Sequence, residues 1–235
     1  MHDGSTYAVM MATPADLEDL AHGFAWTEGV IRSPAEVLRA EVAHGSLGAE
    51  ARLWLAPERG RDLAGRRRRL AGPTGCGLCG IESLEEAARP PSPVPPAGVR
   101  LAPEQVLDAM RALEAAQRLG PATRAVHAAA FWTPAEGLAA LREDVGRHNA
   151  LDKLAGSLFR AGRDAAGGAV LLTSRVSVEM VQKAAAMRAP VLVAVSAPTT
   201  LAVRTAEAAG LTLVAVARSD GFEVFAGGER IAWPG

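Results

Sequence analysis

The second half of the chain alternates apolar strand-like runs with helical runs, and this alternation constrains the fold more than any other feature. The pattern predicts helices at 103–119, 149–161, 178–188 and 200–209, and strands at 125–132, 138–142, 170–173, 191–195, 211–217 and 222–225. Continuously apolar strands separated by helices are typical of a parallel or mixed sheet covered on both faces. The sequence therefore predicts an α/β domain over 99–235.

A proline-rich segment at 90–98 precedes this domain. Proline cannot continue a helix or join a central strand, so a stiff extended linker is expected. Upstream, over 1–89, we expect a smaller β-rich α+β part. Its predicted elements are a strand at 6–11, a helix capped by Thr13 that begins at Pro14 and ends at Gly29, strands at 36–43 and 51–56, and a short helix at 81–88.

Composition excludes several classes of protein. The 235 residues are 49% hydrophobic, enough for a sizeable core, and the net charge of −1 does not indicate a general nucleic-acid binder. No apolar run reaches membrane-spanning length and the first residues lack a secretory signal pattern, so neither a membrane nor a nucleic acid is an expected partner. Two cysteines make no disulfide scaffold, and a cytoplasmic location with free thiols is expected.

Those two cysteines, Cys76 and Cys79, lie in a Gly-Cys-Gly-Leu-Cys-Gly loop. They are open to three interpretations: a structural pair, half of a zinc site completed by two histidines, or a cysteine nucleophile in sulfur or redox chemistry. The four arginines at 66–69 favour the reactive thiolate, although such a run can also be a solvated face. The flanking glycines oppose the helix start of a dithiol oxidoreductase, so we favour sulfur transfer.

Polar clusters follow several predicted strands, where ligands bind in open α/β sheets. They are Arg147, His148 and Asn149; Ser174 and Arg175; the segment 196–200; and the turn Arg218, Ser219, Asp220 and Gly221. Each alone is equally consistent with caps and turns, with Asn149 and Ser177 as helix caps and Asp152 and Lys153 as a surface pair. Together they predict a site for an anionic, nucleotide-like ligand, although no dinucleotide or P-loop motif is present. His127, inside an apolar strand, is either a core residue or part of this site.

The motifs together resemble the FdhD/NarQ family of formate dehydrogenase accessory sulfurtransferases. The resemblance rests on residues 7–14 and 23–29, the cysteine loop at 75–80, and the stretches 126–130, 143–153 and 174–177. It also extends through 181–183 and from 196 to 213. The Asp-Val-Gly-Arg-His-Asn-Ala-Leu-Asp-Lys stretch that ends at Lys153 is the most specific of these motifs.

The resemblance implies a function. Such proteins take sulfur from a cysteine desulfurase as a persulfide on the first cysteine, here Cys76, and pass it to the molybdenum bis(molybdopterin guanine dinucleotide) cofactor destined for formate dehydrogenase. That cofactor is a client, and no permanent cofactor or metal is expected. The alternatives are a non-catalytic chaperone that only binds and delivers the cofactor, and a small zinc-binding module.

The resemblance also implies a fold and a cofactor-binding turn. The fold is a cytidine-deaminase-like three-layer αβα domain, usually in a homodimer; deamination itself is not expected, because no glutamate follows His127. The family's binding turn reads F-x-R-G-D-R. The corresponding residues here keep the first arginine and the aspartate but lack the aromatic residue and the second arginine; they are Val216, Ala217, Arg218, Ser219, Asp220 and Gly221.

Overall fold

The structure, a computed structural model, describes residues 1–2, 4, 6–59 and 91–234. The cysteine loop with Cys76 and Cys79, the arginines at 66–69 and the predicted helix at 81–88 lie outside the described residues. The predictions made for them, and the domain boundary placed at 90–98, remain predictions.

The elements of the described residues include six α-helices and eight strands. The helices are α1 (Leu17–Thr27), α2 (Pro103–Ala116), α3 (Leu119–Thr123), α4 (Arg147–Arg160), α5 (Val178–Ala186) and α6 (Thr200–Ala209). The strands are β1 (Val37–Gly45), β2 (Gly48–Leu55), β3 (His127–Thr133), β4 (Gly137–Asp144), β5 (Ala169–Leu172), β6 (Val191–Ala194), β7 (Thr212–Arg218) and β8 (Gly221–Ala226).

Six of the strands form one mixed sheet in the order β4-β3-β5-β6-β7-β8. Its centre, β5-β6-β7, is parallel, whereas β3 runs antiparallel to β4 and β5, and β8 runs antiparallel to β7. Strands β5 and β6 are short and buried along their whole length. This agrees with the continuously apolar runs of the sequence and confirms the predicted α/β class.

Helices cover both faces of this sheet. On one face, α4, α5 and α6 pack against alternate strand residues such as Leu172 and Leu192. On the other face, α2 packs against the intervening residues, such as Leu171 and Val193. Successive strand residues point to opposite faces, so each apolar run supplies both cores. The predicted three-layer αβα architecture is confirmed.

The N-terminal residues form α1 and an antiparallel hairpin of β1 and β2. Apolar residues of α1 and β2 form a small core of their own, which also includes Phe159 of α4. Helix α1 lies against α4, and Gly23 and Gly156 meet at the contact. A Cβ on Gly23 would lie 1.7 Å from the Asp152 carbonyl oxygen, and one on Gly156 would lie 1.8 Å from that of Asp19. Glycine at both positions is what allows this approach.

Two predictions for the N-terminal part are wrong. Residues 6–11 form no strand, because no described strand pairs with their backbone. Helix α1 begins at Leu17, after Asp16 at φ 52°, rather than at Pro14. Thr13 does not cap it: its backbone N–H donates to Asp144 Oδ2 and its hydroxyl accepts from the Val145 N–H.

The long helix predicted at 103–119 is interrupted. It ends at Ala116 because Gln117 is extended, with ψ 139°. The carboxylate of Glu143 then accepts hydrogen bonds from the backbone N–H groups of Arg118, Leu119 and Gly120 and organises the short α3. Hydrogen bonds to a side chain distant in sequence therefore form where the last turn of the predicted helix was expected.

Across the described ranges, no helix combines the length and apolar character needed to span a membrane.

Candidate functional site

The residues singled out in the sequence lie along one edge of the sheet. Strand β3 starts at this edge with His127, which is paired with Asp144 at the end of β4. The parallel strands β5, β6 and β7 all end there, and Thr173 donates its N–H to Ala128 O at 3.1 Å. The topology therefore brings His127, the start of α4 and the segment after β5 to the same edge.

Five side chains at this edge form what we term the polar cluster: His127, Arg147, His148, Ser177 and Glu179. His148 Nε2 lies 3.9 Å from Glu179 Oε2, longer than a hydrogen bond but close enough for charge attraction. Glu179 is only 7% exposed. Arg147 and His148 open α4, while Ser177 and Glu179 open α5.

The polar cluster is unusual because several of its buried polar atoms have no hydrogen-bond partner within the described part of the chain. These atoms are Arg147 Nε, His148 Nε2, Ser177 Oγ and both carboxylate oxygens of Glu179. Leaving a buried polar group unpaired costs about 1–3 kcal/mol, and more for a charged group. Such groups are uncommon in folded proteins, and a binding or catalytic role is one explanation for them.

Two groups of the polar cluster have shifted pKa values. Burial raises the pKa of Glu179, but the neighbouring His148 and Ser177 side chains favour its charged form more strongly, and the net pKa lies below the ordinary value. Burial, followed by the positive charges of Arg147 and His148, lowers the pKa of His127. At neutral pH the cluster therefore contains a carboxylate, a guanidinium and a neutral imidazole at His127.

The starts of α4 and α5 add positive electrostatic potential to the polar cluster. The N-cap of α4 is Gly146 and that of α5 is Ser177, both in extended conformation. Gly146 has no side chain to cap α4, and the Ser177 hydroxyl makes no capping hydrogen bond to α5, so no N-cap side chain occupies the first N–H groups of either helix. Helix N-termini favour anions, and two of them meet here.

The stretch from Asp144 to Lys153 is mainly structural. Asp144 is fully buried, and its carboxylate accepts hydrogen bonds from the N–H of Thr13, the N–H of Gly146 and the side-chain amide of Asn149. Lys153 Nζ lies 2.6 Å from Asp144 Oδ2, with no exposed side-chain area on either residue, and also donates to Thr13 O. This pair fastens α4 to the end of β4 and to the segment before α1.

The surface pair expected for Asp152 and Lys153 is therefore wrong. Asp152 is also buried and pairs with Lys183 of α5 at 2.9 Å. The hydroxyl of Thr27 donates to Asp152 Oδ1 at 2.7 Å. Asp152 and Lys153 therefore pair with different partners. The contacts of Asp152 with Thr27 and Lys183 join α1, α4 and α5. Attraction to Asp152 and Glu28 outweighs burial and raises the pKa of Lys183.

Asn149 was expected as a helix cap, and this is also wrong. It lies inside the first turn of α4, where its amide donates to Met11 O at 2.7 Å and to Asp144 Oδ1 at 3.1 Å. Both amide contacts are structural.

The remaining predicted residues lie at the same edge but outside the polar cluster. Ser174 is buried and donates to the carbonyl of Arg175, whose side chain is exposed. The turn between β7 and β8 exposes Arg218, Ser219 and Asp220, while Gly221 pairs with Arg218. Among the described residues no hydrogen bond joins this turn to the polar cluster.

Val216 and Ala217 precede this turn within β7. Val216 has φ 51°, which is strained for a β-branched residue, and the register of β7 against β8 shifts between Ala215 and Arg218. Ala217 is buried and packs in the core on the α2 side of the sheet. The strained backbone at Val216 and the register shift therefore lie where β7 leads into the turn before β8.

Two members of the polar cluster were not predicted from the sequence: Glu179, and Ser177, which was expected only as a helix cap. Ser177 is the N-cap of α5, as expected, but its hydroxyl faces the polar cluster instead of capping the helix. An acidic residue in a first helical turn is ordinarily explained by the helix dipole, so Glu179 gave no distinct signal. Only its position beside His148 marks it as part of a site.

The described residues contain no group of three or more histidine, cysteine, aspartate or glutamate side chains arranged to hold a metal ion.

Comparison with known proteins gives consistent matches. The model of the FdhD/NarQ family matches residues 1–232. The chain is 51% identical to the sulfur carrier protein FdhD of Agrobacterium fabrum over 230 residues, covering 98% of this chain and 85% of that protein. It is 49% identical to the protein of the same name from Cupriavidus necator, covering 98% and 80%.

A solved structure has the same fold. The crystal structure of a putative formate dehydrogenase accessory protein from Desulfotalea psychrophila superposes with a TM-score of 0.77 at 27% identity, covering 98% of this chain and 86% of that one. With a family match along almost the whole chain and relatives near 50% identity, this chain belongs to the FdhD/NarQ family.

Proposed function

We propose that this protein is a sulfurtransferase that carries sulfur as a cysteine persulfide to the molybdenum bis(molybdopterin guanine dinucleotide) cofactor of formate dehydrogenase. The observation that supports this most is the family match over residues 1–232, which includes Cys76 and Cys79. The names of the relatives, sulfur carrier protein and formate dehydrogenase accessory protein, point the same way. The proposed partners are a cysteine desulfurase, formate dehydrogenase and a second copy of this chain, in the cytoplasm.

The loading step is a thiolate exchange that needs no external oxidant. The Cys76 thiolate attacks the outer sulfur of a persulfide on the desulfurase, forming a new S–S bond while the S–S bond of the desulfurase breaks. The desulfurase leaves as a thiolate, and Cys76 holds the persulfide. Cys79 then assists its retention or release, and positive charge from the arginines at 66–69 favours the attacking thiolate.

The proposed site for the client is the edge of the sheet that carries the polar cluster. A guanine dinucleotide contains several phosphates, which need hydrogen-bond donors and positive charge. The starts of α4 and α5, together with Arg147, Arg175 and Arg218, supply these at one edge. The unpaired buried polar atoms of the polar cluster also support a ligand there.

Intact mass spectrometry after incubation with a cysteine desulfurase and cysteine tests the loading step. We expect a gain of one sulfur atom that is lost on reduction. Cys76→Ala should abolish the gain and the ability to restore formate dehydrogenase activity in a strain that lacks this protein. Circular dichroism of the variant provides the control for folding.

Three outcomes would contradict the proposal. Sulfur loading and complementation that survive in the Cys76→Ala/Cys79→Ala double variant would exclude a persulfide carrier. Cofactor delivery by that double variant would instead identify a binding and delivery chaperone. Stoichiometric zinc in the purified protein would indicate a zinc-binding module.

A further inference from the structure

We propose that Lys183 is a positioning residue: its buried pair with Asp152 fixes the spacing of α4 and α5 and so holds the polar cluster in place around a bound anion. The inference rests on the proposed function in one respect, that phosphates of the client lie at the starts of these two helices. It concerns how the helices are held there, by a residue to which the resemblance assigns no role.

Two polar contacts join α4 to α5. The upper contact is between the second residues of the two helices, His148 and Glu179, whose Nε2 and Oε2 atoms lie 3.9 Å apart. The lower contact joins the sixth residues, Asp152 and Lys183, at 2.9 Å. Residues four apart lie on the same face of a helix, one turn above the other. The separation of the helices at the lower contact therefore limits how far apart His148 and Glu179 can lie.

The lower contact has many partners and little freedom. Lys183 Nζ lies 2.9 and 3.0 Å from the two carboxylate oxygens of Asp152, 3.0 Å from Thr27 Oγ1 and 3.2 Å from Glu28 Oε1. The Thr27 hydroxyl also donates to Asp152 Oδ1. The side chains of Asp152 and Lys183 are only 2% and 9% exposed. A shift of α5 along or away from α4 would break several of these contacts at once.

Stability alone does not explain this pair. Two charges lose their hydration when they are buried, and apolar residues of similar volume are often as stabilising as a buried ion pair or more so. What an ion pair adds is a fixed geometry, because its members must keep their distance and orientation to remain satisfied. The Asp152–Lys183 pair is therefore better explained by the helix spacing that it imposes.

The identity of the cation supports the same explanation. Only two of the 25 lysine and arginine residues are lysines, Lys153 and Lys183, and both are buried beside an aspartate. An ammonium group is compact and can donate in three directions, whereas a guanidinium group is larger and planar. A chain that otherwise uses arginine thus has the smaller cation at the two positions where oxygens enclose it.

The spacing of α4 and α5 matters for an anion because donors from both helices converge at their starts. Arg147 begins α4 and Ser177 is the N-cap of α5. Helix N-termini attract anions through N–H groups whose effect is confined to the first turn. An anion that contacts both helix starts is therefore bound tightly only at one separation of the helices.

The test compares wild type with the Asp152→Leu/Lys183→Met double variant. Calorimetric titration of the purified full chain with inorganic pyrophosphate measures anion affinity, and urea denaturation followed by circular dichroism measures stability. Lys183→Met alone leaves Asp152 buried and unpaired and should lower the urea midpoint, whereas the double variant should restore it. We still expect the double variant to bind pyrophosphate about tenfold more weakly per folded molecule, as is typical when a side chain that orients ligand-binding residues is lost. A purely structural role predicts wild-type affinity once stability is restored.

Glu28→Gln is the matched control. Glu28 contacts the same ammonium group at 3.2 Å, but it belongs to α1 and its side chain is 39% exposed. This variant should keep the wild-type affinity for pyrophosphate. Lys183→Arg is the second variant, for the case that the double variant does not fold. It keeps the charge, but its larger planar group does not fit the same enclosure, so it should also weaken pyrophosphate binding.

Three results overturn the inference: wild type that binds no pyrophosphate, a folded double variant with wild-type affinity, or equal losses in Glu28→Gln and the double variant. If the double variant does not fold, wild-type affinity in Lys183→Arg overturns it instead. Sulfur loading of each variant, measured by intact mass, separates the two proposals. Loading together with weakened pyrophosphate binding supports both, whereas absence of persulfide on the wild-type protein refutes the proposed function alone.

Discussion

The stability of this sheet edge depends on individual buried charges, and Lys153 is an example. Its ammonium group is enclosed with the Asp144 carboxylate and also donates to Thr13 O. The carboxylate in turn accepts hydrogen bonds from the N–H groups of Thr13 and Gly146 and from the Asn149 amide. Removing one member of a buried pair leaves the other as an uncompensated charge, which costs far more than losing a surface pair. The stability of this edge should therefore respond strongly to substitution at 153.

We predict that Lys153→Met lowers the free energy of unfolding by about 3–5 kcal/mol, because it leaves Asp144 charged and buried. Urea denaturation followed by circular dichroism measures this. The control is Arg111→Ala, which breaks an exposed pair with Asp108 and should cost about 0–1 kcal/mol. Equal effects of the two substitutions would show that the Asp144 pair contributes no more than a surface contact.

The lowered pKa of His127 predicts that the stability of the protein depends on pH. Its pKa in the folded protein is lowered from 6.5 by burial and by Arg147 and His148, so the folded state favours the neutral ring. Below about pH 6.5 the unfolded chain takes up a proton on this histidine, whereas the folded protein binds that proton more weakly. The free energy of unfolding therefore falls as the pH falls. We expect the free energy of unfolding to decrease from about pH 7 to about pH 5, and His127→Gln to reduce that slope. An unchanged slope in chemical denaturation across this range would refute the prediction.

At the scale of elements, the contact between α1 and α4 depends on two glycines. Gly23 and Gly156 bring the backbones together so closely that a methyl group on either would overlap a carbonyl oxygen of the other helix. The close approach also brings Thr27 of α1 to Asp152 of α4. The helix pair is thus fixed by backbone packing as well as by its polar contacts.

We predict that Gly23→Ala and Gly156→Ala each destabilise the protein by about 1–3 kcal/mol through overpacking. The sign is informative, because alanine in an unconstrained helix would be favourable by about 1 kcal/mol. Thermal or urea unfolding measures the change.

Gly167→Ala is the control for this pair. An added Cβ there meets no atom within 4 Å, and the effect should be about 0.5 kcal/mol or less. A stabilising effect of alanine at Gly23 or Gly156 would contradict the close packing of α1 on α4.

At the scale of the whole molecule, the N-terminal elements and the six-stranded sheet are joined by more than the chain between them. Asp19 of α1 accepts hydrogen bonds from Arg142 of β4 and Arg160 of α4. Phe159 of α4 contributes to the small core under the β1–β2 hairpin. These contacts couple the stability of the hairpin to that of the sheet.

We therefore predict one cooperative unfolding transition. Trp54 in β2 and Trp132 in β3 report on the two regions, and single-tryptophan variants, with the others replaced by phenylalanine, allow each to be followed by fluorescence. The two midpoints in urea should coincide, as two-state unfolding requires. A hairpin signal that changes at clearly lower urea would show that the N-terminal elements unfold independently.

Much of the fold was predictable from the sequence because its signals are local. The apolar runs of β5, β6 and β7 and the periodicity of α4, α5 and α6 reflect burial on faces set by strand and helix geometry. Residues 6–11 have the same local character as a strand, yet pairing depends on a neighbour that local pattern does not specify. The break after Ala116 likewise depends on Glu143, distant in sequence.

The sequence by itself determined the α/β class, the order of most elements, the spacing of the two cysteines and, through its motifs, the family. Only the tertiary structure decided that Asp152 and Lys153 are buried in separate ion pairs, that Asn149 is not a cap, and that Glu179 joins the polar cluster. The physical reason is that helix and strand formation depend on neighbours a few residues away. The role of a charged side chain depends instead on which distant elements enclose it, and here α1 packing on α4 and the convergence of α4 with α5 determine that.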